Sequence, residues 1–259
     1  MYNYEKSNGG IMTGGLPKTK AYHRFQQRCD YYETDLQLCE LLVRDFVSIA
    51  DSTSSVAVAL GSTKAQHPRL GQLNSLRTRQ IRGGHLRQTL SASFVKDIYE
   101  DFVEFFGETM TRAAQKGIDP GRFAGEVKLD FQARDILAAG SWDNLVALIS
   151  QRIFRALENE RKTALLISKV STRLGLTIDT AVIDAAMPYL DARHMLVHQD
   201  GRADDQYRRN YPGIAAPRGK IRLDNAFIAA TRSTIDGLAR AIDAQIIAHN
   251  LVRPEHMCP

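Results

Sequence analysis

The sequence predicts an all-α protein, a helical bundle of five to six long helices, and three observations support this fold class. Apolar residues recur at spacings of three and four along most of the chain, which is the period of an amphipathic helix. No stretch shows the sustained alternation of apolar and polar residues that a half-buried strand needs. Gly, Pro and capping residues fall where the periodic stretches stop, as they do at helix ends.

The composition is that of a folded protein in a reducing compartment. Hydrophobic residues make up 44% and charged residues 24% of the chain, an ordinary globular balance. The net charge is only +5, so the position of the cations matters more than their total. The 3 cysteines form no CxxC pair, and no apolar segment resembles a secretory signal or could cross a bilayer. We therefore expect a cytoplasmic protein with no membrane partner.

The N-terminal part of the chain divides into a tail and a helix. Residues 1–19 are rich in glycine and poor in apolar groups, which predicts a disordered tail. From about Lys20 the apolar residues form a heptad seam, which predicts a long helix packed on the bundle or on a second subunit. Two cysteines lie on this seam, so we interpret them as small buried hydrophobic residues. The seam comprises Phe25, Cys29, Tyr32, Leu36, Cys39, Val43 and Phe46.

A basic segment follows, and it leaves two interpretations open. Residues 52–96 contain seven Lys and Arg and no Asp or Glu, while Gly and Pro residues predict that much of the segment is a loop. It is either a solvated linker or a flexible cationic strap for a polyanion backbone. On the second interpretation, Arg77, Arg79 and Arg82 bind RNA. We therefore assign residues 20–81 to an N-terminal helix plus basic loop.

The remaining helices are predicted from their caps and breakers. One runs from about His85 to Lys116, and a short piece covers roughly residues 123–138. Ser141 starts the next helix and Gly175 ends the one after it. Later helices cover about 179–198, with Asp179 as N-cap, and about 223–250, separated by a basic turn-rich loop. Residues 251–259 are expected to be a frayed C-terminal tail.

The candidate site lies in the segment Leu190–Gly201, which brings Arg193, His194 and His198 to one helix end. Three interpretations stay open. Arg193 can clamp a phosphate while His198 transfers a proton; His194 and His198, four residues apart, can bind a metal with Asp191 or Asp200; or the histidines only cap helix carbonyls. The zinc-protease helix pattern fails, because Met195 stands where that pattern needs Glu. Arg202, Arg208 and Arg209 follow in the loop as further candidate RNA-binding residues.

The segment Leu190-Asp-Ala-Arg-His-Met-Leu-Val-His-Gln-Asp-Gly201 resembles the signature of the HEPN superfamily. In that signature an Arg, a polar residue, three further residues and a His end a late helix, and in one subgroup Asp-Gly follows shortly. The helix around Leu90–Phe106, with Glu100 in an apolar stripe, also resembles the first core helix of that subgroup. The resemblance covers about residues 82–250, so the N-terminal heptad helix and the basic loop would be additions to a HEPN-like domain.

The resemblance implies a metal-independent endoribonuclease of the toxin or abortive-infection type, with no cofactor. Two subunits of a homodimer would bring their Arg193 and His198 together, with His198 as general acid/base and Arg193 stabilising the phosphoryl charge. His194 would orient the site or contact phosphate. An antitoxin or another regulatory protein is a possible partner beside RNA. Two alternatives remain, a non-catalytic HEPN-like module that binds RNA or protein, and a plain helical scaffold.

Overall fold

The computed structural model describes residues 16–50, 55–70, 75–158 and 162–259, and its secondary structure there is helical. Six helices are long, which confirms the predicted all-α fold class. In the described ranges no strand occurs, and two isolated bridges pair Thr19 with Met257 and Arg202 with Lys220. The helices are α1 (Lys20–Ser48), α2 (Val56–Ala59), α3 (Leu76–Lys116), α4 (Pro120–Ala124), α5 (Ala133–Ala138), α6 (Trp142–Glu158), α7 (Thr163–Leu174), α8 (Thr180–His198), α9 (Asp205–Asn210) and α10 (Asn225–Ala248).

Helix α3 is the central element, because α1, α6, α7, α8 and α10 all pack against it. Its stripe of Ile98, Phe102 and Phe106 is almost fully buried and meets Leu238 and Ile242 of α10 in one hydrophobic core. Burial of such side chains stabilises a fold by about 1.5–3 kcal/mol each. Across the helices of the described chain, none has the length and apolarity that crossing a membrane would require.

The heptad seam of α1 faces α3 of the same chain. Phe25, Cys29, Cys39 and Val43 are all buried, which confirms the interpretation of the two cysteines as buried hydrophobic residues. Phe25 and Cys29 lie in the first half of the helix, and Cys39 and Val43 lie in the second half, so the seam extends over most of α1. The seam is therefore occupied within the chain and is not free for a second subunit.

The start of α3 differs from the sequence-based expectation. A loop was expected up to about residue 84, whereas α3 is helical from Leu76, capped by the Ser75 side chain, which accepts a hydrogen bond from the Thr78 amide. Gly83 does not break the helix, because it lies where α1 crosses closely. A Cβ atom at Gly83 would lie 2.7 Å from Cγ1 of Val43. The boundary expected between residues 81 and 82 consequently falls inside one continuous helix.

Both expected tails are partly ordered. Residues 1–15 lie outside the described residues, but Thr19 is buried, caps α1 and donates a hydrogen bond of 2.6 Å to Oδ1 of Asp243. The expected fraying at the C-terminus is wrong. Val252 is buried, Nη1 of Arg253 lies 2.6 Å from Oδ2 of Asp143, and the Cys258 amide bonds the Lys18 carbonyl. The two ends thus close the fold by hydrogen bonds that sequence periodicity does not reveal.

Candidate active site at the end of helix α8

Helix α8 carries the candidate residues, and both its ends were predicted correctly. The Asp179 side chain accepts a hydrogen bond of 2.9 Å from the Ala181 amide at its start, and the helix ends at His198. Its inner face, which includes Leu190, Ala192 and Met195, is buried in the core against α3 and α10. Packing on both sides therefore fixes the C-terminal turn of α8, so its outward side chains project from a rigid position.

The Asp-Gly pair after His198 ends the helix. The amides of Gln199 and Gly201 both donate to the Met195 carbonyl, at 3.0 and 2.9 Å. Asp200 and Gly201 have positive φ angles of 52° and 74°, a conformation that Asp tolerates and Gly favours. The Lys220 ammonium lies 2.7 Å from Asp200 and holds the pKa of that carboxyl below its usual value. This part of the resembled motif thus has a structural role in this chain.

Arg193 is directed towards α3. Its Nη2 lies 2.6 Å from Oε1 of Glu100, and its Cζ lies 5.1 Å from the ring centroid of Tyr99. The arginine side chain is 29% exposed and the glutamate 53%, so the pair lies at the surface. A carboxylate and an aromatic face together orient the guanidinium, as expected for a group with a planar, delocalised charge.

His194 and His198 face solvent one helical turn apart. Both are exposed, and their ring centroids are 4.7 Å apart. Neither imidazole makes a hydrogen bond within the part of the chain that the structure describes. The interpretation that these histidines cap helix carbonyls therefore gains no support. Their ring nitrogens are therefore accessible to a ligand.

The two acidic residues considered as further metal ligands have other partners. Oδ2 of Asp191 accepts a hydrogen bond of 2.5 Å from the Tyr211 hydroxyl, and Asp200 pairs with Lys220. Burial raises the pKa of Asp191, although hydrogen bonds from Tyr211 and Thr163 oppose the shift. Within the described ranges, no three His, Cys, Asp or Glu side chains are grouped so that they could hold a metal ion.

Two tyrosines of the basic loop hold it against α8, a role that sequence reasoning missed. Tyr207 is buried and donates a hydrogen bond of 2.7 Å to the Pro188 carbonyl, while Tyr211 bonds Asp191. Their ring centroids are 5.0 Å apart. The four-residue spacing of the tyrosines was the available signal, since it places both on one face of α9 and its C-cap. The loop is consequently anchored next to the end of α8.

The structure separates the candidate RNA-binding arginines into two groups. Arg202, Arg208 and Arg209 are exposed on the anchored loop, and the Arg202 amide bonds the Gln199 carbonyl just after His198. Arg77 and Arg82 are exposed on α3, but at 1.5 Å per residue they lie about 35 and 27 Å along that helix from Glu100. These two therefore belong to another part of the surface.

Arg79 does not lie on the surface. Its side chain is only 1% exposed, and its Nη2 donates to the Ile49 carbonyl at the end of α1. An exposed loop was the basis for naming Arg79 as an RNA contact, and the residue instead lies on the buried face of α3. We do not carry Arg79 forward as an RNA-binding residue, because its guanidinium satisfies the end of α1.

No protein-family model, curated protein or solved structure matches this chain. The resemblance to HEPN proteins therefore rests on the residues of α8 and α3 alone. Arg193, His194 and His198 lie at the C-terminal end of α8, a late helix that packs on α3.

Proposed function

We propose that this chain is a metal-independent endoribonuclease of the HEPN type, acting in the cytoplasm as a toxin or defence protein. The observation that carries the proposal is the pair of exposed imidazoles, without structural hydrogen bonds in the described chain, next to an arginine held at the same helix end. Residues that only stabilise a helix end would be expected to bond its carbonyls. An arginine and histidines at one end of a helix are groups that can bind and cleave a phosphodiester.

The Arg193–Glu100 pair defines the state of the site without substrate. A phosphate can share Arg193 with Glu100 or displace Glu100 from it, since the glutamate side chain is 53% exposed and can rotate into solvent. Arg193 then places its planar fork against the phosphoryl oxygens and stabilises the charge that they gain in the transition state. Tyr99 remains under the guanidinium and keeps its orientation.

His198 performs the proton transfers in this proposal. One His198 accepts the proton of the RNA 2′-hydroxyl, and the bond from O2′ to phosphorus forms while the bond from phosphorus to O5′ breaks. A protonated imidazole gives its proton to the departing O5′. The products are a 2′,3′-cyclic phosphate and a 5′-hydroxyl, and the reaction needs no oxidant, reductant or further reactant. His194, one turn away, contacts phosphate or orients His198.

Two copies of the chain are needed to surround the phosphate. Arg193 and His198 are five residues apart, which places them about 140° apart around a helix. In the structure Arg193 turns towards α3 while His198 faces solvent, so one copy presents them in different directions. A second α8 end can supply the missing group, and the loop cations Arg202, Arg208 and Arg209 then hold the RNA backbone.

One observation favours a second candidate, a non-catalytic RNA-binding module. The Glu100 carboxylate neutralises Arg193 in the free protein, which would suit a domain whose arginine is structural. This alternative predicts RNA binding that weakens with salt and no cleavage at any pH. Binding through an antitoxin-like protein partner is compatible with either candidate.

The test is RNA cleavage by the purified full chain in EDTA. We expect cleavage to persist in EDTA, to yield 2′,3′-cyclic phosphate ends, and to fall by about 100-fold or more in His198→Ala. His249→Ala, which removes another exposed histidine at the end of α10, is the matched control and should retain activity. Activity that requires a divalent metal, or binding without cleavage, contradicts the proposal.

A further inference from the structure

The distal halves of α1 and α3 form an arm that stands away from the rest of the molecule. We call residues 30–50, 55–70 and 75–93 the arm. From residue 30 to 48 only Cys39 and Val43 are buried, and from residue 76 to 93 only Arg79, Gly83 and Ser91. A groove of about 1180 Å³ separates one side of the arm from the start of α10. The arm therefore has a thin interior of its own and large outer faces.

Exposed apolar side chains concentrate on this arm. Of the 15 exposed large hydrophobic residues in the described chain, 9 lie between residues 31 and 86. Scattered exposed apolar residues are normal, but a concentration on one element marks a contact surface. The thin interior of a two-helix hairpin gives it little stability of its own, and a second layer of helices would supply more.

One face of the arm is organised as two parallel stripes. On α1, the stripe follows spacings of four, three, four and three on one side of the helix, and all its members are exposed: Tyr31, Asp35, Leu38, Leu42 and Asp45. On α3, Arg82, Leu86 and Thr89 form the corresponding exposed stripe. None of these residues lines the groove, whose walls come from other residues of the same helices and from the start of α10. The stripes therefore form the arm face opposite the groove.

The charges on the arm are segregated between the two helices. From residue 33 to 48, α1 carries Glu33, Asp35, Glu40 and Asp45 against Arg44 alone. From residue 76 to 93 of α3, every charged side chain is basic. Within the stripes, α1 contributes the exposed carboxylate of Asp45 at the height where α3 contributes the guanidinium of Arg82. The face thus displays an apolar surface flanked by one acidic and one basic edge.

We propose that this face docks on the same face of a second copy of the chain, forming a four-helix bundle with α1 of each copy against α3 of the other. A two-fold axis then brings Asp45 of each copy to Arg82 of the other, and Leu38 and Leu42 to Leu86. Self-complementarity of this kind is what a two-fold interface requires. Neighbouring helices are antiparallel across the interface, as within the hairpin, which suits up-down bundles.

Height along the arm also fits this arrangement. Because Gly83 contacts Val43 within one chain, the residues just below the contact on α1 are level with those just after Gly83 on α3. Two arms that point the same way therefore meet with their apolar stripes level. Both bodies lie at one end of the bundle, where α8 ends of two copies can approach each other.

A second copy fits the face better than RNA does. RNA would be attracted by Arg82, but the carboxylates of Asp35 and Asp45 on α1 lie on the same face and would repel phosphates. The chain itself presents both charges in the order needed to neutralise its own copy. Association of two copies through this face does not depend on ribonuclease activity.

The test is the molecular mass of the full chain in solution, measured by light scattering and sedimentation at tens of micromolar without RNA. We expect a dimer, weakened about tenfold or more by either Asp45→Lys or Arg82→Glu, because each variant puts like charges at both contacts. Mixing the two variants should restore the dimer, since opposite charges then meet at both contacts. Re-formation from the mixture also shows that both variants are folded.

Matched controls lie on the body of the protein. Leu38→Ser should weaken the dimer, whereas Leu137→Ser, which removes an exposed leucine of α5, should not. Glu126→Lys reverses an exposed charge outside the arm and should also leave the dimer unchanged. A monomeric wild-type chain, a dimer indifferent to the arm variants, or a mixture that stays monomeric overturns the proposal. A chain that gains mass only with RNA, more strongly in Asp45→Lys, would assign the face to RNA instead. An arm-dependent dimer that never cleaves RNA leaves this inference standing and removes the proposed catalysis.

Discussion

The two halves of the α1–α3 hairpin are built from one heptad seam but differ in how completely the chain satisfies them. In the body half, Tyr22, Phe25, Phe102 and Phe105 pack their rings within 6.5 Å, and Arg28 lies 2.5 Å from Asp101 across the helices. In the arm half, the fully buried positions of α1 and α3 are few and hold no aromatic ring, namely Cys39, Val43, Arg79, Gly83 and Ser91. Acidic and basic side chains are segregated there on separate helices. The difference shows that a continuous periodic pattern does not imply uniform stability or uniform function along a helix pair.

The difference also explains why the arm is the better candidate for association. The body half has its charges paired and its aromatic rings buried, so a partner would gain little there. The arm half exposes apolar stripes whose burial is still available. Substitutions on the two halves should therefore affect different properties, folding stability in the body and association in the arm.

The largest contrast is expected between core and arm truncations. Phe106→Ala removes a fully buried ring and should lower the free energy of unfolding by about 3–5 kcal/mol. Leu38→Ala removes an exposed side chain and should change the monomer by no more than about 0.5 kcal/mol. Urea unfolding at a concentration where the chain is monomeric measures both. Equal losses would show that the arm is packed as tightly as the body.

The next contrast lies within the adjacent glycines of α3. Gly83→Ala places a methyl group 2.7 Å from the Val43 side chain, and overpacking of this kind costs about 1–3 kcal/mol. Gly84→Ala meets no atom within 4 Å, and the higher helix propensity of Ala should stabilise the chain by up to about 1 kcal/mol. Thermal unfolding of the two variants should shift in opposite directions. A stabilised Gly83→Ala variant would mean that the helices do not approach closely.

A third contrast concerns acid stability. Burial alone would raise the pKa of Asp236, but hydrogen bonds from Arg240 and Tyr22 and the charge of Arg232 outweigh it and hold the pKa below its usual value. A carboxyl with a lowered folded-state pKa stabilises the fold above its unfolded pKa, and this contribution is lost as pH falls through the folded value. Asp236→Asn should therefore be less stable than wild type at neutral pH and lose less stability below about pH 5. The matched arm variant, Asp35→Asn, removes an exposed carboxylate and should change the free energy of unfolding of the monomer at neutral pH by no more than about 0.5 kcal/mol.

The smallest effect is expected at the exposed ion pair of the candidate site. Glu100→Gln removes the charge that competes for Arg193, so the affinity for inorganic phosphate or a short RNA should rise by a few fold. Titration calorimetry measures the affinity of wild type and of Glu100→Gln. When Arg193→Ala is added to both, their affinities should become equal. Unchanged affinity would indicate that Arg193 does not contact phosphate.

Much of the fold could be predicted from sequence because its signals are local. The Asp179 cap, the stop at His198 and the αL residue Gly175 depend on side-chain chemistry within a few residues of each helix end. The position of Arg193, His194 and His198 at one helix end followed from the same signals. What Arg193 contacts did not follow, since Glu100 lies more than 90 residues away and only tertiary packing brings it near.

The sequence-based predictions that were wrong concern residues whose environment is set by distant contacts. A glycine pair is a local breaker signal, and at Gly83 the tertiary contact with Val43 overrides it. Arg79 was assigned to the surface by its charge, yet the end of α1 supplies a carbonyl that satisfies it in a buried position. The C-terminal segment lacks periodicity, but the Asp143 carboxylate binds Arg253 through both oxygens and the Lys18 carbonyl accepts a hydrogen bond from the Cys258 amide. In each case a distant partner determined the outcome.

The uninterrupted length of α3 connects the arm rigidly to the candidate site. Gly83 and Glu100 are 17 residues apart on a continuous helix, which corresponds to about 26 Å. If two arms cross at an angle that changes by about 10°, the two Glu100 residues move by about 4–5 Å relative to each other. Such a displacement exceeds the reach of a hydrogen bond. The crossing angle of the arms would then set the gap between the two α8 ends, so a protein that wedges the arms apart could silence the site without touching it.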